Sequence, residues 1–219
     1  MIPFDHVWYL PHDIDVITCP KNGMSSVKRY YYQVWKLYFD EDVAKEQIEF
    51  VSHRGGPQNY REQQVWNQCN ILNYPFRKRS FKIAIKRDPI ARFISAVEYL
   101  ENRAKIRRRS ERDYVPRGDI ESVLHKLEKG EIYDVHLMPQ SHFMGTRNHY
   151  DAIFDMTELT DMFRYITKKI PEARWGPNLN PHYNKMKKTD KKRITDNLSP
   201  HDILRIKILY KQDYENGWC

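Results

Sequence analysis

Two short stretches hold the residues best suited to gripping an anion: CPKNGMSSVKR, starting at Cys19, and KRDPIARFISAVEY, starting at Lys86. In the first, Lys21 brings a mobile positive charge, Gly23 lets the backbone approach a ligand, and Ser25 and Ser26 add hydroxyl donors. If the turn opens a helix, that helix also offers unpaired N–H groups and its positive dipole end, a combination suited to phosphate. In the second stretch Arg87 ends an apolar run, and Arg92 and Ser95 follow it. An arginine and a serine two helical turns apart can grip a second phosphate-like group. Two such sites suit a ligand with phosphate-like groups at both ends of a nucleoside. Neither stretch is a Walker A motif, GxxxxGK[ST], because Lys21 precedes the glycine of its turn, and GxGxxG is absent. The competing reading of the first stretch is an ordinary strand-to-helix connection with a helix N-cap at Ser25 or Ser26.

The surrounding pattern supplies elements to position both stretches. IDVITC (14–19) is a β-branched apolar run bounded by Asp and Pro, which predicts a buried strand. From Ser26 the period changes, and Val27, Tyr31, Val34 and Tyr38 fall on one helical face. QIEFVSH (47–53) predicts a second strand, and FKIAIKRDP (81–89) a third that stops at Asp88-Pro89. Ile90, Phe93, Ile94, Val97 and Leu100 then mark a helix with Pro89 in its first turn. A helix around Ile120–Leu127, a short strand at DAIFDM (151–156), and a last helix opened by the capping sequence SPHD (199–202) follow. Strands alternating with helices predict an α/β fold with a mostly parallel central sheet flanked by helices. Ligands of such sheets sit beyond the carboxyl ends of the strands, where both anion-gripping turns fall. With no internal repeat or low-complexity linker, residues 1–219 are expected to form a single domain.

Bulk properties narrow the partners. The chain has 219 residues and a formal charge of +8, so an anionic partner or substrate is expected. Cys19, Cys69 and Cys219 are too few and too widely spaced for a disulfide framework or a CxxC metal site, and no HExxH occurs. No metal is expected. No segment approaches the ~18 apolar residues of a membrane span. MIPFDHVWYLPHD lacks the cationic start and apolar core of a signal peptide, so a soluble, cytoplasmic protein is expected.

Taken together, CPKNGMSSVKR and KRDPIARFISAVEY resemble the two cofactor-binding signatures of sulfotransferases that use 3′-phosphoadenosine 5′-phosphosulfate (PAPS), closest to the Golgi-type carbohydrate sulfotransferases. HLMPQS (136–141) is similar to that family's His-Trp-x-Pro-Gln segment, with Leu137 in place of tryptophan. The end of the chain, from PHYNKMKK to LYKQDYENGW, is similar to the family's adenine-side loop and terminal helix. The turn NGMSS departs from the family's usual small-residue turn with Thr-Asn, and the membrane anchor and lumenal disulfides of Golgi members are not seen.

The resemblance implies a P-loop-like sulfotransferase fold, PAPS as donor and PAP (3′-phosphoadenosine 5′-phosphate) as product. It implies cofactor binding by Pro20, Lys21, Asn22, Gly23, Met24, Ser25, Ser26, Arg87, Ser95, His182 and Asn184. Lys21 would stabilise the departing phosphate oxygen, while Arg87 and Ser95 would hold the 3′-phosphate. The acceptor, a carbohydrate or other hydroxyl compound that can itself be anionic, needs a general base; His53, His136 and His142 are the candidates. Glu98 could also serve as that base, but reads rather as a solvated helix residue. The basic run RAKIRRRSER (103–112) could dock a polyanionic acceptor or be a solvated helix end. Two other functions compete. One is a P-loop-like kinase, which lacks its GK[ST] here. The other is a basic nucleic-acid-binding module, which leaves the two ordered anion turns unexplained.

Overall fold

The structure, a computed structural model, describes residues 7–10, 12–35, 80–107, 120–170 and 198–219. The chain divides into two compact units, one of residues 1–19, 23–86 and 148–183, the other of residues 20–22, 87–147 and 184–219.

The first unit is built on a sheet with strand order β1-β2-β3-β4. Strand β2 (Ile14–Ile17) pairs in parallel with β3 (Phe81–Lys86), which pairs in parallel with β4 (Ala152–Asp155). Strand β1 (Val7–Leu10) adds an antiparallel edge, reached through a tight turn in which His12 and Asp13 take φ values of 56° and 54°. Every residue of β2 is buried, as expected of a strand covered on both faces. Its Asp15 is tolerated there because Ser80 donates a short hydrogen bond to its carboxylate.

Helices α1 (Met24–Trp35) and, after the 3-10 turn Met156–Glu158, α5 (Leu159–Lys169) share this core. Tyr30 stacks on Phe163 at 4.5 Å and Trp8 meets Tyr31 edge-on at 5.4 Å. Each large side chain fully buried here contributes roughly 1.5–3 kcal/mol. The tyrosines of YYYQVW whose side chains are described, Tyr30 and Tyr31, are therefore core residues. Helix α1 begins at Met24, so neither Ser25 nor Ser26 is its N-cap. The Gly23 carbonyl already accepts from the N–H groups of Ser26 (2.9 Å) and Val27 (3.1 Å), which puts both serines inside the first turn. Gly23 itself needs to be glycine. Its φ is +77°, and a Cβ there would lie 2.9 Å from Leu159 Cδ1.

The second unit is helical: α2 (Pro89–Arg107), α3 (Ile120–Glu128), the short α4 (Gln140–Met144), α6 (Pro200–Leu209) and α7 (Lys211–Glu215). Asp88 caps α2 by accepting from the Ala91 N–H at 2.7 Å, and Pro89 follows in the first turn, where its missing N–H costs nothing. Phe93, Val97, Val123, Leu124, Ile206 and Tyr210 interlock α2, α3 and α6. Arg205 of α6 adds ion pairs to Glu121 (2.8 Å) and Glu128 (2.7 Å) of α3.

The chain is thus a mixed α/β protein with a four-strand, mostly parallel sheet and flanking helices, as its sequence pattern predicts. The strands expected at 14–19, 81–89 and 151–156 are present, as Ile14–Ile17, Phe81–Lys86 and Ala152–Asp155; the one expected at 47–53 lies outside the described residues. Strand β1 and helix α5 were not expected from the sequence. Among the described residues no helix is long and apolar enough to cross a membrane.

The expected capping box is formed at Ser199. Its hydroxyl accepts from the Asp202 N–H, and the Asp202 carboxylate accepts from the Ser199 N–H, both at 3.1 Å. Ser199→Ala should lower stability by about 1 kcal/mol. Urea denaturation should show an earlier midpoint with the same slope; an unmoved midpoint would mean that the cap contributes nothing.

Candidate functional site

Beyond β2 the chain runs through buried Thr18 and Cys19 into Pro20–Asn22, which group with the helical unit. Here Lys21 takes φ +73°, a left-handed conformation that costs a non-glycine residue on the order of 1–3 kcal/mol. Such strain persists only where neighbours over-determine it, and three bonds do so. Arg92 Nε donates to the Pro20 carbonyl at 3.1 Å, and Arg87 Nη1 donates to the Lys21 carbonyl at 2.7 Å. Asn22 Nδ2 donates to Gln140 Oε1 at 2.7 Å. Each residue of the turn is held by a different side chain.

The same residues set the electrostatics. Burial pushes the Lys21 ammonium down to about 8, with Arg87 and Arg92 adding to the effect and Glu98 opposing it. Its Nζ lies 4.7 Å from the centre of the Tyr99 ring, which offers a cation–π contact. Arg92 is 0% exposed; besides Pro20 it donates from Nη1 to the Met138 carbonyl, and its guanidinium lies 5.9 Å from the Tyr210 ring. Its Nη2 is buried with no hydrogen-bond partner among the described residues. Glu98, expected to be solvated, is only 2% exposed. Its charge favours the protonated form of Lys21. Positive charge brought together with so little water is costly, and a bound anion would offset that cost.

Helix α2 explains the alignment. Arg92, Ser95 and Tyr99 stand at i, i+3 and i+7, one stripe of the helix. Arg92 reaches the Pro20 carbonyl and Tyr99 lies by the Lys21 ammonium, so Ser95, buried between them, belongs to the face that addresses the turn. Against Tyr99 packs His136, with ring centres 4.3 Å apart. The Asp134 carboxylate accepts from the His136 backbone N–H at 2.8 Å and bonds its Nδ1 at 2.6 Å. His136 is therefore a fixed, mostly buried imidazole in a carboxylate–histidine pair, whereas His142 is exposed on α4.

Lys21, Asn22, Arg87, Ser95 and His136 are thus gathered in the helical unit, with Pro20 as the anchored entrance. Gly23 precedes α1, and Met24, Ser25 and Ser26 open its first turn in the sheet unit, where Ser25 is exposed and Ser26 buried. His53, His182 and Asn184 lie outside the described residues, as do residues 108–112 of the basic run. Sequence reasoning gave no role to Tyr99, Asp134, Gln140 or Asp213. The fully buried Gln140 bonds Asn22, the Arg87 peptide and the Trp218 carbonyl, and Asp213 accepts from its backbone N–H. The available signal was the family-like HLMPQS and LYKQDYENGW, which marked the segments without saying what they hold.

The arrangement can bind a polyanion and stabilise negative charge that grows on a leaving oxygen. No curated protein and no solved structure matches the chain. A family model described as the sulfotransferase family matches residues 11–216, which span both units. With that match covering all but the ends, the chain belongs to the sulfotransferase family.

Proposed function

We propose that the chain, acting as one domain over residues 1–219, transfers a sulfuryl group from PAPS to a hydroxyl of a carbohydrate in the cytoplasm, without a metal, and releases PAP. The observation that carries this reading is the strained Lys21 turn, whose ammonium is buried near Arg87 and Arg92. That donor set fits the donor nucleotide, which presents two separated phosphate-like groups and needs concentrated positive charge at each.

Lys21 and the N–H groups of Asn22–Ser26 would cradle the 5′-phosphosulfate; Arg87 and Ser95 would hold the 3′-phosphate, with His182 and Asn184 on the adenine side. Bound there, PAPS supplies the sulfuryl group, its bond to the phosphate oxygen breaking as the bond to the acceptor oxygen forms. Lys21 neutralises the charge that collects on the departing oxygen. A histidine takes the acceptor's hydroxyl proton. His136 and His53 are the two candidates, and the Asp134 bond favours His136 because it engages Nδ1 and leaves Nε2 to accept the proton. The net charge of +8 favours an anionic acceptor and suits no particular nucleic acid.

PAP at a hundredfold excess over its dissociation constant should stabilise the fold by about 2.7 kcal/mol, raising the melting temperature, while ATP with magnesium should do far less. A larger shift with ATP and magnesium would favour a kinase. Salt-steep binding to RNA or DNA with neither nucleotide effective would favour a nucleic-acid module.

Removing the Lys21 ammonium should cost about 10²–10³ in kcat, with a smaller loss of PAP affinity. Ser95→Ala should do the reverse, weakening PAP binding about tenfold with kcat nearly kept. Steady-state kinetics and calorimetry separate the two, and a Lys21→Ala enzyme of normal turnover would sink the mechanism.

Affinity should also depend on pH. Lys21 is charged below about 8, and an anion favours the charged form, so binding takes up a proton above that pH. PAP affinity should be level near pH 7 and fall as pH rises through 8, by at most about tenfold per unit. Calorimetric titrations should show the fall in the parent enzyme and its absence in Lys21→Met.

A further inference from the structure

We propose that Gln140 is a positioning residue for donor binding: its side-chain amide sets the register between the Lys21 turn and Arg87, and Asp213 holds Gln140 in place. The inference rests on the nucleotide assignment made above and extends it to a residue that cannot itself meet the ligand, being 0% exposed.

A primary amide has two acceptor lone pairs and two N–H donors, and here all are engaged. Oε1 accepts from Asn22 Nδ2 at 2.7 Å and from the Arg87 N–H at 3.2 Å. Nε2 donates to the Arg87 carbonyl at 2.7 Å and to the Trp218 carbonyl at 3.2 Å. Gripping both the N–H and the C=O of Arg87 pins that residue's backbone. The Arg87 guanidinium then reaches the Lys21 carbonyl at 2.7 Å, and Asn22, next to Lys21, returns to Gln140. This is a closed ring through one amide. It ties the residue proposed to meet the 3′-phosphate to the residue proposed to meet the leaving oxygen.

Behind it, the Asp213 carboxylate accepts from the Gln140 N–H at 3.0 Å and from the Ser141 N–H at 2.7 Å. Trp218 also donates from its indole N–H to the Gly145 carbonyl at 2.7 Å. The end of the chain thus braces the ring rather than the ligand. A carboxylate at position 140 would present lone pairs to two carbonyls, and a thioether would satisfy none of the four partners.

The test uses the full-length protein and PAP. Q140E should bind PAP about 100-fold more weakly and Q140M about tenfold more weakly, from the cost of leaving buried carbonyls unpaired. D213N should weaken binding in the same direction by less. In turnover, Q140M should raise the donor KM more than it lowers kcat. As pH falls, protonation of the new carboxyl in Q140E restores one donor, so its deficit relative to the parent at the same pH should narrow. V123A, a core change in α3, should lower the melting temperature without changing PAP affinity.

A parent protein that fails to bind PAP would overturn the nucleotide assignment and the inference with it. A parent that binds, with Q140E and Q140M binding equally well, would overturn the inference alone. It also falls if neither Gln140 variant folds, or if V123A loses as much affinity at a matched melting temperature.

Discussion

The left-handed backbone at Lys21 is the constraint on which the candidate site depends. A lysine resists φ +73°, and left alone the turn would relax. It stays because Arg92 and Arg87 take the carbonyls of Pro20 and Lys21, while Gln140 takes the side chain of Asn22. The strain is offset by bonds that also fix the two arginines. The conformation of the turn and the placing of the cations are therefore one problem with one solution.

That solution concentrates positive charge in a poorly hydrated place. Lys21, with Arg87 and Arg92 acting on it, has its ammonium pushed down to about 8, chiefly by burial. Glu98 tempers this from the same helix, and the Tyr99 and Tyr210 rings give two of the cations a polarisable face. A protein built this way carries an electrostatic cost that a bound polyanion would reduce. Under the proposed function, binding and stability should be coupled, since an anion held there would offset the repulsion between the cations. Unlike cations on an open surface, whose attraction water and salt screen, partly buried ones keep more of their field.

Much of the fold was legible because its signals are local. The β-branched run at Ile14–Ile17, the alternation at Phe81–Ile85, the Asp88-Pro89 helix start and the Ser199 capping box each act within a few residues. What escaped had weaker local signals. VWYL is four residues long, and its pairing partner lies in β2; the apolar face of α5 follows a 3-10 turn that interrupts its pattern. Ser25 and Ser26 fit the N-cap preference, yet the helical hydrogen bonds already start at the Gly23 carbonyl, two or three residues earlier. Glu98 looked solvated because charge alone argues for water. Its burial comes from packing on more than one side of α2, which a single-helix pattern does not reveal.

Residue type and spacing alone pointed to the α/β class and singled out Lys21, Arg87 and Ser95 as candidates for holding an anion. The four-strand, mostly parallel sheet bears out the class, and the family match spans residues 11–216. Tertiary structure alone decided how these residues are held. Gln140 lies 118 positions from Asn22 and 53 from Arg87, and Asp213 lies 73 beyond Gln140. Hydrogen bonds across such separations leave no periodicity in the chain. They exist only once the helices have packed and brought buried donors and acceptors to within 3 Å or so of one another.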